Sequence, residues 1–500
     1  MSNLHLPWLE LSILTPLVGV LLVNLFRNRE TAWQIATGIC FLTVFLAFGE
    51  LIDFMLLGAF EAHDHWPLQQ FVFNRDVFVV DELSAFLLPL AAVIYLVTVL
   101  STLKTKAPRF SLAWALVSES LVLATFSCRA SWTLVALLAI SIIPPYLELR
   151  WRNRCTRVYA IHMIVYLALL LVGYTWLGFV DPHSASALFP GALLTGAILM
   201  RAGIAPFHLW ITDLFEKATF GTAITYLTPL TGAYAVMRMV LPIAPTWALQ
   251  SIAVLSLITA VYAAGMALVQ TEARRMFCYL LLSQSSLVLV GLELATAVGL
   301  TGALCVWMSV GLSMTGFGIT LRCVESRISR VSLQDYHGLY RQMPVLAGFF
   351  LLTGLAAIGF PATVGFVGME LLIEGAVEVY PLVGTFVVLS AALNGIAVLG
   401  AYFRIFTGRE NPTLVPMNVR FTERTAVVLL TLLIVGGGLL PQPGVASRYH
   451  AATELISQRL RNPNATDGEL TETEGHRHQA TDSNPPPSPE TKTDEKGSDQ

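Results

Sequence analysis

Apolar residues run along this chain in stretches long enough to cross a bilayer, separated by short polar segments. A span needs about 20 mostly apolar residues. Fourteen stretches qualify: roughly 7–26, 32–57, 80–102, 110–128, 131–149, 158–179, 187–211, 219–241, 247–269, 274–293, 296–321, 343–373, 380–407 and 424–442. No Lys or Arg precedes the first, so it lacks the charged head of a signal peptide and is expected to be retained. The polar segments test this division independently. Those after odd-numbered stretches hold twenty Lys and Arg residues, while those after even-numbered ones hold only Arg75 and Arg129. Under the positive-inside rule that bias places the odd loops in the cytoplasm and both termini outside. A missed or extra span would flip every later loop and spoil the alternation.

Composition agrees. The chain is 55% hydrophobic and 13% charged, with mean hydropathy +0.66, against about 25% charged in soluble globular proteins. Residues 461–500 hold nine acids and four bases in a Pro-, Thr- and Glu-rich segment, which cannot bury enough apolar surface to fold. Without it the charged share falls further. The expectation is an integral membrane protein of the inner (plasma) membrane.

Several function classes drop out. A net charge of −3 without a basic block argues against nucleic acid. Six cysteines (Cys40, Cys128, Cys155, Cys278, Cys305 and Cys323) form no CxxC pair and no iron–sulfur spacing. There is neither a GxGxxG after a strand nor a GxxxxGK[ST] loop. No cofactor and no catalytic or redox site is therefore expected in this chain, and any redox activity would belong to an assembly.

Two stretches are interrupted in a comparable way. Residues 200–213 read MRAGIAPFHLWITD and residues 354–370 read GLAAIGFPATVGFVGME, placing Pro206 and Pro361 among small residues. A mid-span Pro frees a carbonyl that hydrocarbon cannot satisfy, so such breaks survive where backbone lines a polar cavity. Matching breaks in two halves point to inverted repeats with the pathway at the breaks. A kink absorbed by packing is the plainer alternative. Ionisable groups inside the spans cost about 2.5–3.5 kcal/mol each and usually face a cavity or a partner. Glu119 lies mid-span, Arg201 and His208 flank the first break, and Glu370 and Glu374 follow the second. Glu119 and Arg201 read equally as pathway groups or as a structural ion pair, and an Arg201–Glu119 pair is expected. Arg238, closing its span, reads as snorkelling to the interface. His162 reads as a hydrogen-bonded packing residue, and Glu61-Ala62-His63-Asp64-His65 as a solvated loop, with weak metal binding as the lesser alternative.

At this point the residues carry a resemblance. RAGIAPFHLWITD (201–213) is similar to the KxPxxPFHxWLPDA signature of the antiporter-like subunits of bacterial complex I, Mrp antiporters and membrane-bound hydrogenases. VDELSAFLLPL (80–90), QTEARRMFCYLLLSQSSLVLVG (270–291) and MPVLAGFFLLTGLAAIGFPATVGFVGMELL (343–372) resemble further segments of that family in order. The resemblance, closest to the subunit-M type, implies an all-α polytopic membrane protein of about 14 transmembrane helices with two inverted five-helix repeats containing broken helices. On that plan residues 1–109 hold helices 1–3, 110–242 the first repeat, 243–410 the second, and 411–460 the last helix and its flank. The family's acid and base positions are mostly altered. Its fifth-helix Glu falls at Ala139, its seventh-helix Lys at Arg201, and its eighth-helix Lys at Leu230. Two His positions fall at Val310 and Gln284, and the twelfth-helix acid at Met369, with Glu370 one place later. Arg stays protonated where a Lys can titrate, so Arg201 can be a fixed counter-charge and not a proton carrier.

The resemblance implies a proton- or cation-conducting membrane subunit. Its partners would be the other membrane subunits of a complex I-like, antiporter or hydrogenase assembly. Two further readings remain open: the membrane half of a two-component inorganic-carbon uptake system beside a peripheral zinc protein, and a scaffold that has lost conduction. The proton and ion pathway candidates are Glu119, Arg201, His208 and Glu370, with Pro206 and Pro361 at the helix breaks.

Overall fold

A computed structural model describes residues 2–26, 28–64, 77–102, 110–180, 185–292, 294, 296–408 and 420–460. The protein is mostly α-helical, and all fourteen apolar stretches are built mainly of helix. In chain order the first are α1 (Trp8–Leu25), α2 (Arg29–Leu57), α3 (Leu87–Leu100) and α4 (Leu112–Ser127). Next come α5 (Ser131–Ile140), α6 (Ile143–Trp151), α7 (Arg157–Leu177) and α8 (Leu188–Ala202). The middle holds α9 (Leu209–Lys217), α10 (Phe220–Leu227) and α11 (Thr231–Ala235), then α12 (Thr246–Val269) and α13 (Ala273–Gly291). The last third holds α14 (Ala297–Ile328), α15 (Pro344–Ala357), α16 (Val364–Val379), α17 (Pro381–Phe406), α18 (Phe421–Leu439) and α19 (Gln442–Leu460). Among the described residues, eight helical stretches are long and apolar enough to cross a membrane.

Local sequence explains where these helices start and stop. Asn28, Thr219 and Thr296 accept backbone N–H bonds from Glu30, Thr222 and Gly299, satisfying donors that the first turn leaves open. Gly58, at φ +54°, ends α2 in the left-handed conformation. At 32 residues and about 1.5 Å per residue, α14 is longer than the hydrocarbon is thick. It is buried along most of its length, and α16 lies against it almost without intervening side chains. A Cβ on Gly302 would stand 2.4 Å from the backbone nitrogen of Leu372, so only glycine permits this approach.

Two features were not expected. Three short strands, β1 (Ser2–Asn3), β2 (Glu61–His63) and β3 (Val80–Asp81), form one sheet, β1 parallel and β3 antiparallel to β2. Helix α19 follows the last apolar stretch and docks back on the turn after β3. There Arg448 donates to the carbonyls of Glu82 and Leu83 (2.5 and 3.1 Å), with its guanidinium 4.9 Å from the Phe86 ring. Burial pulls that guanidinium down to about 10, so it remains a cation at neutral pH. Residues 461–500, including the acidic segment, lie outside the described residues.

Asp64, just past β2, accepts from the backbone N–H groups of Leu9 and Glu10 (3.4 and 2.7 Å) at the start of α1. Burial pushes its carboxyl up to about 7. Those two hydrogen bonds oppose the shift, and the charges of Glu10 and Asp53 add to it. The folded protein therefore holds a proton there that the unfolded chain releases near 3.8, and stability falls as pH rises through that window, levelling off above 7. Asp64→Asn should shrink the advantage in unfolding midpoint that detergent-solubilised protein has at about pH 5 over about pH 8. An unchanged gap would mean that other groups set it.

Candidate functional site

The break predicted at Pro206 is present. Helix α8 stops at Ala202, Gly203 turns at φ +81°, and α9 begins at Leu209. The turn brings Trp210 back under α8, where its Nε1 donates to the carbonyl of Met200 (3.0 Å). Arg201, in the last turn of α8, is buried in the pocket so formed. Its guanidinium lies 4.1 Å from the Tyr226 ring and 5.8 Å from the Trp210 ring, and Nη2 donates to Thr231 Oγ1 (3.2 Å). Tyr159 extends the aromatic shell, its hydroxyl 3.2 Å from that of Tyr226. A cavity of about 30 Å³ opens beside Arg201, lined also by Tyr226, Leu230, Thr231 and Ser285. Leu230 holds φ +54°, a left-handed conformation costly for a residue with a branched side chain, at the interruption between α10 and α11.

The expected Arg201–Glu119 pair does not form. Among the described residues no carboxylate lies within ion-pair distance of Arg201, and its Nε and Nη1 are buried without a hydrogen-bond partner. Glu119, fully buried on α4, instead accepts from Cys40 Sγ of α2 (3.4 Å), and its Oε1 has no partner. Arg238 does not snorkel. It is buried in a π-helical turn (Val236–Val240) and paired with Asp81 (2.5 Å), with Nε donating to the Tyr234 hydroxyl (3.1 Å). His208 is buried at the first break against the rings of Tyr262 and Tyr279 (5.5 and 6.3 Å), and neither ring nitrogen has a partner.

At the second break, Gly359 and Ala362 take φ of +81° and +65° around Pro361. Glu370 and Glu374 then fall on the exposed side of α16, while Met369 is buried. One residue along a helix is a rotation of about 100°, so an acid one place after the buried position faces away from the core. His162 bonds the carbonyl of Val158 one turn back (2.8 Å), a packing role. Glu61 pairs with Arg129. No three ligating groups converge for a metal among the described residues, and His65 lies outside them.

Some polar groups were not singled out from the sequence. Glu148 on α6 is buried, accepting from the backbone N–H of Thr219 (2.9 Å) and from the Thr222 hydroxyl, 3.6 Å from Arg152. Near it a cavity of about 140 Å³ is lined by Arg152, Arg274, Arg322 and Glu325, with Arg274 and Glu325 paired at 2.6 Å. The interior between α12, α13 and α17 is polar but neutral. Asn394 donates to Ser283 Oγ, which donates to the Ala260 carbonyl (both 2.8 Å), and the Gln284 amide is buried without a partner.

Comparison with known proteins places this architecture. Residues 159–394 match the family model described as NADH:quinone oxidoreductase/Mrp antiporter, TM. NADH-quinone oxidoreductase subunit M of Rickettsia prowazekii is 24% identical over 489 residues, covering 91% of this chain and 99% of that protein. The chain resembles an antiporter-like subunit of this family. At such identity the resemblance is a distant one. The chain's fold is shared with a chain of Thermus thermophilus respiratory complex I, at TM-score 0.77 and 20% identity over 90% of this chain and 99% of that one. It is shared equally with a chain of the Mrp complex from Dietzia, at TM-score 0.78 and 15% identity over 91% and 99%. The fold thus persists at low identity, and in this chain Arg201 is a buried cation at the first break.

Proposed function

We propose that the chain is the subunit-M-like membrane component of a respiratory or antiporter-type assembly, moving or coupling protons or cations through its first half. The observation that carries this reading is Arg201: a permanent cation, buried beside a cavity at a helix break, where a merely structural helix would carry an apolar residue. Glu119 and His208 are the titratable pathway candidates of the same half, and Glu370 is the weakest of the four pathway candidates because it faces outward. The second half contributes the neutral polar interior around Ser283, Gln284 and Asn394. Neighbouring membrane subunits are the expected partners, since relatives of this fold occur in a respiratory complex I and an Mrp complex.

The same reading holds fourteen spans in the plasma membrane, two inverted five-helix repeats at 110–242 and 243–410, and both termini outside. It is supported by the twenty-to-two distribution of Lys and Arg and by the paired breaks at Pro206 and Pro361. Reporter fusions after Arg157 and Arg330 should read cytoplasmic, and one after Arg448 external. An internal reporter after Arg448 would end the fourteen-span arrangement. Proton flux in vesicles holding the native assembly tests the function itself. Flux is expected, and Arg201→Lys should retain more of it than Arg201→Ala. A wild-type assembly without flux would favour the scaffold reading.

A further inference from the structure

We propose that the cavity beside Arg201 is a binding site for one small monovalent inorganic anion of the halide class. The argument starts from charge. A guanidinium cannot shed its proton in a protein, and a buried cation without a counter-charge is strongly unfavourable. Arg201 is 4% exposed, and no carboxylate of the described residues pairs with it. Its neutral contacts are incomplete: the hydroxyls of Thr231 and Tyr226, and the faces of Tyr226 and Trp210. The carboxyl end of α8 supplies only about half a negative charge. Nε and Nη1 remain as two buried, unpartnered donors. The cavity that Arg201 lines is where their complement can sit.

Size and lining narrow the class. About 30 Å³ is room for roughly two waters, at about 10–15 Å³ each. A halide-sized ion suits a space of that size. The rest of the wall is mostly apolar, with Ile211, Leu281, Leu282 and Leu289 among its residues and Thr231 and Ser285 as hydroxyls. No acid lines it, so nothing repels an anion, and a single cation balances a single charge. The apolar remainder favours ions that give up water readily. Two waters could satisfy the donors but would leave the charge uncompensated. The inference rests on this geometry and not on conduction, so binding is read without any flux.

The test uses the full chain in lipid nanodiscs. Thermal unfolding is followed in sodium chloride and in sodium gluconate, too large for the cavity, at equal ionic strength. Chloride should raise the unfolding midpoint saturably over gluconate. Arg201→Gln should lose the saturable rise and Arg201→Lys should keep it. Crystals of the wild-type protein grown with bromide should give an anomalous peak within hydrogen-bond distance of Arg201, a result that holds even if the Gln variant does not fold. Equal midpoints in chloride and gluconate, an undiminished rise in Arg201→Gln, or two ordered waters without an anomalous peak would each overturn the proposal.

Discussion

Glu119→Gln is expected to cut proton flux through the assembly by at least an order of magnitude while leaving the protein folded and inserted. Glu119 is fully buried on α4, and among the described residues the thiol of Cys40 is its one hydrogen-bond donor. Gln has nearly the same volume and keeps an acceptor oxygen for that thiol, so packing against α2 survives. What it cannot do is take up and release a proton. Because the Arg201 pocket holds no acid, a proton relay would have to use a buried carboxyl away from it, and Glu119 is the one on α4. Cys40→Ala is the control. It removes the same hydrogen bond while sparing the carboxyl, and should leave flux near wild type. Flux measured in vesicles, with the amount of assembled complex determined in parallel, separates the two outcomes. Wild-type flux in Glu119→Gln takes Glu119 out of the pathway, and equal losses in both variants would point to the hydrogen bond instead of the proton.

Much of the fold was legible because bilayer constraints act locally on sequence. Apolar stretches of the right length became helices, and Pro206 and Pro361 marked real interruptions, each preceded by a glycine in the left-handed region, Gly203 and Gly359. The charged side chains were harder, since their partners lie far away in the chain. Arg238 meets Asp81 across 157 residues, and nothing local distinguishes that from a side chain reaching for the interface. Glu119 and Arg201 looked like complementary charges on the fourth and seventh spans, yet helix rotation aims one at α2 and the other at α10. Glu370 shows the same limit at the scale of one residue, since shifting an acid one place along α16 moves it from the core to the exposed side. The strands were invisible because two or three residues carry no periodic signal. Helix α19 was missed because it is too polar to resemble a span and is held by Arg448 and Arg459 against carbonyls of distant segments.

The Asp81–Arg238 pair should produce the largest stability effect of any single site outside the central pathway. It joins β3 to the π-helical turn after α11, and both side chains are largely buried, at 16% and 11% exposure. Breaking a buried pair by removing one partner costs about 3–5 kcal/mol, because the other charge is left without compensation. Asp81→Asn is the informative variant. Its amide oxygen can still accept from the Ser84 N–H, as Asp81 Oδ1 does at 2.9 Å, so the turn after β3 survives while Arg238 loses both the anion and the oxygen its Nη2 donates to. Arg238 would then retain the Tyr234 hydroxyl and ring but no anion. Arg238→Met should be similarly costly by stranding Asp81. Joining the two changes should recover most of the loss, since replacing a whole buried pair with neutral groups is often close to neutral. The measurement is the unfolding midpoint of the solubilised protein for the four members of the cycle. Simple additivity of the two single losses would mean that the pair contributes through position alone and not through mutual charge.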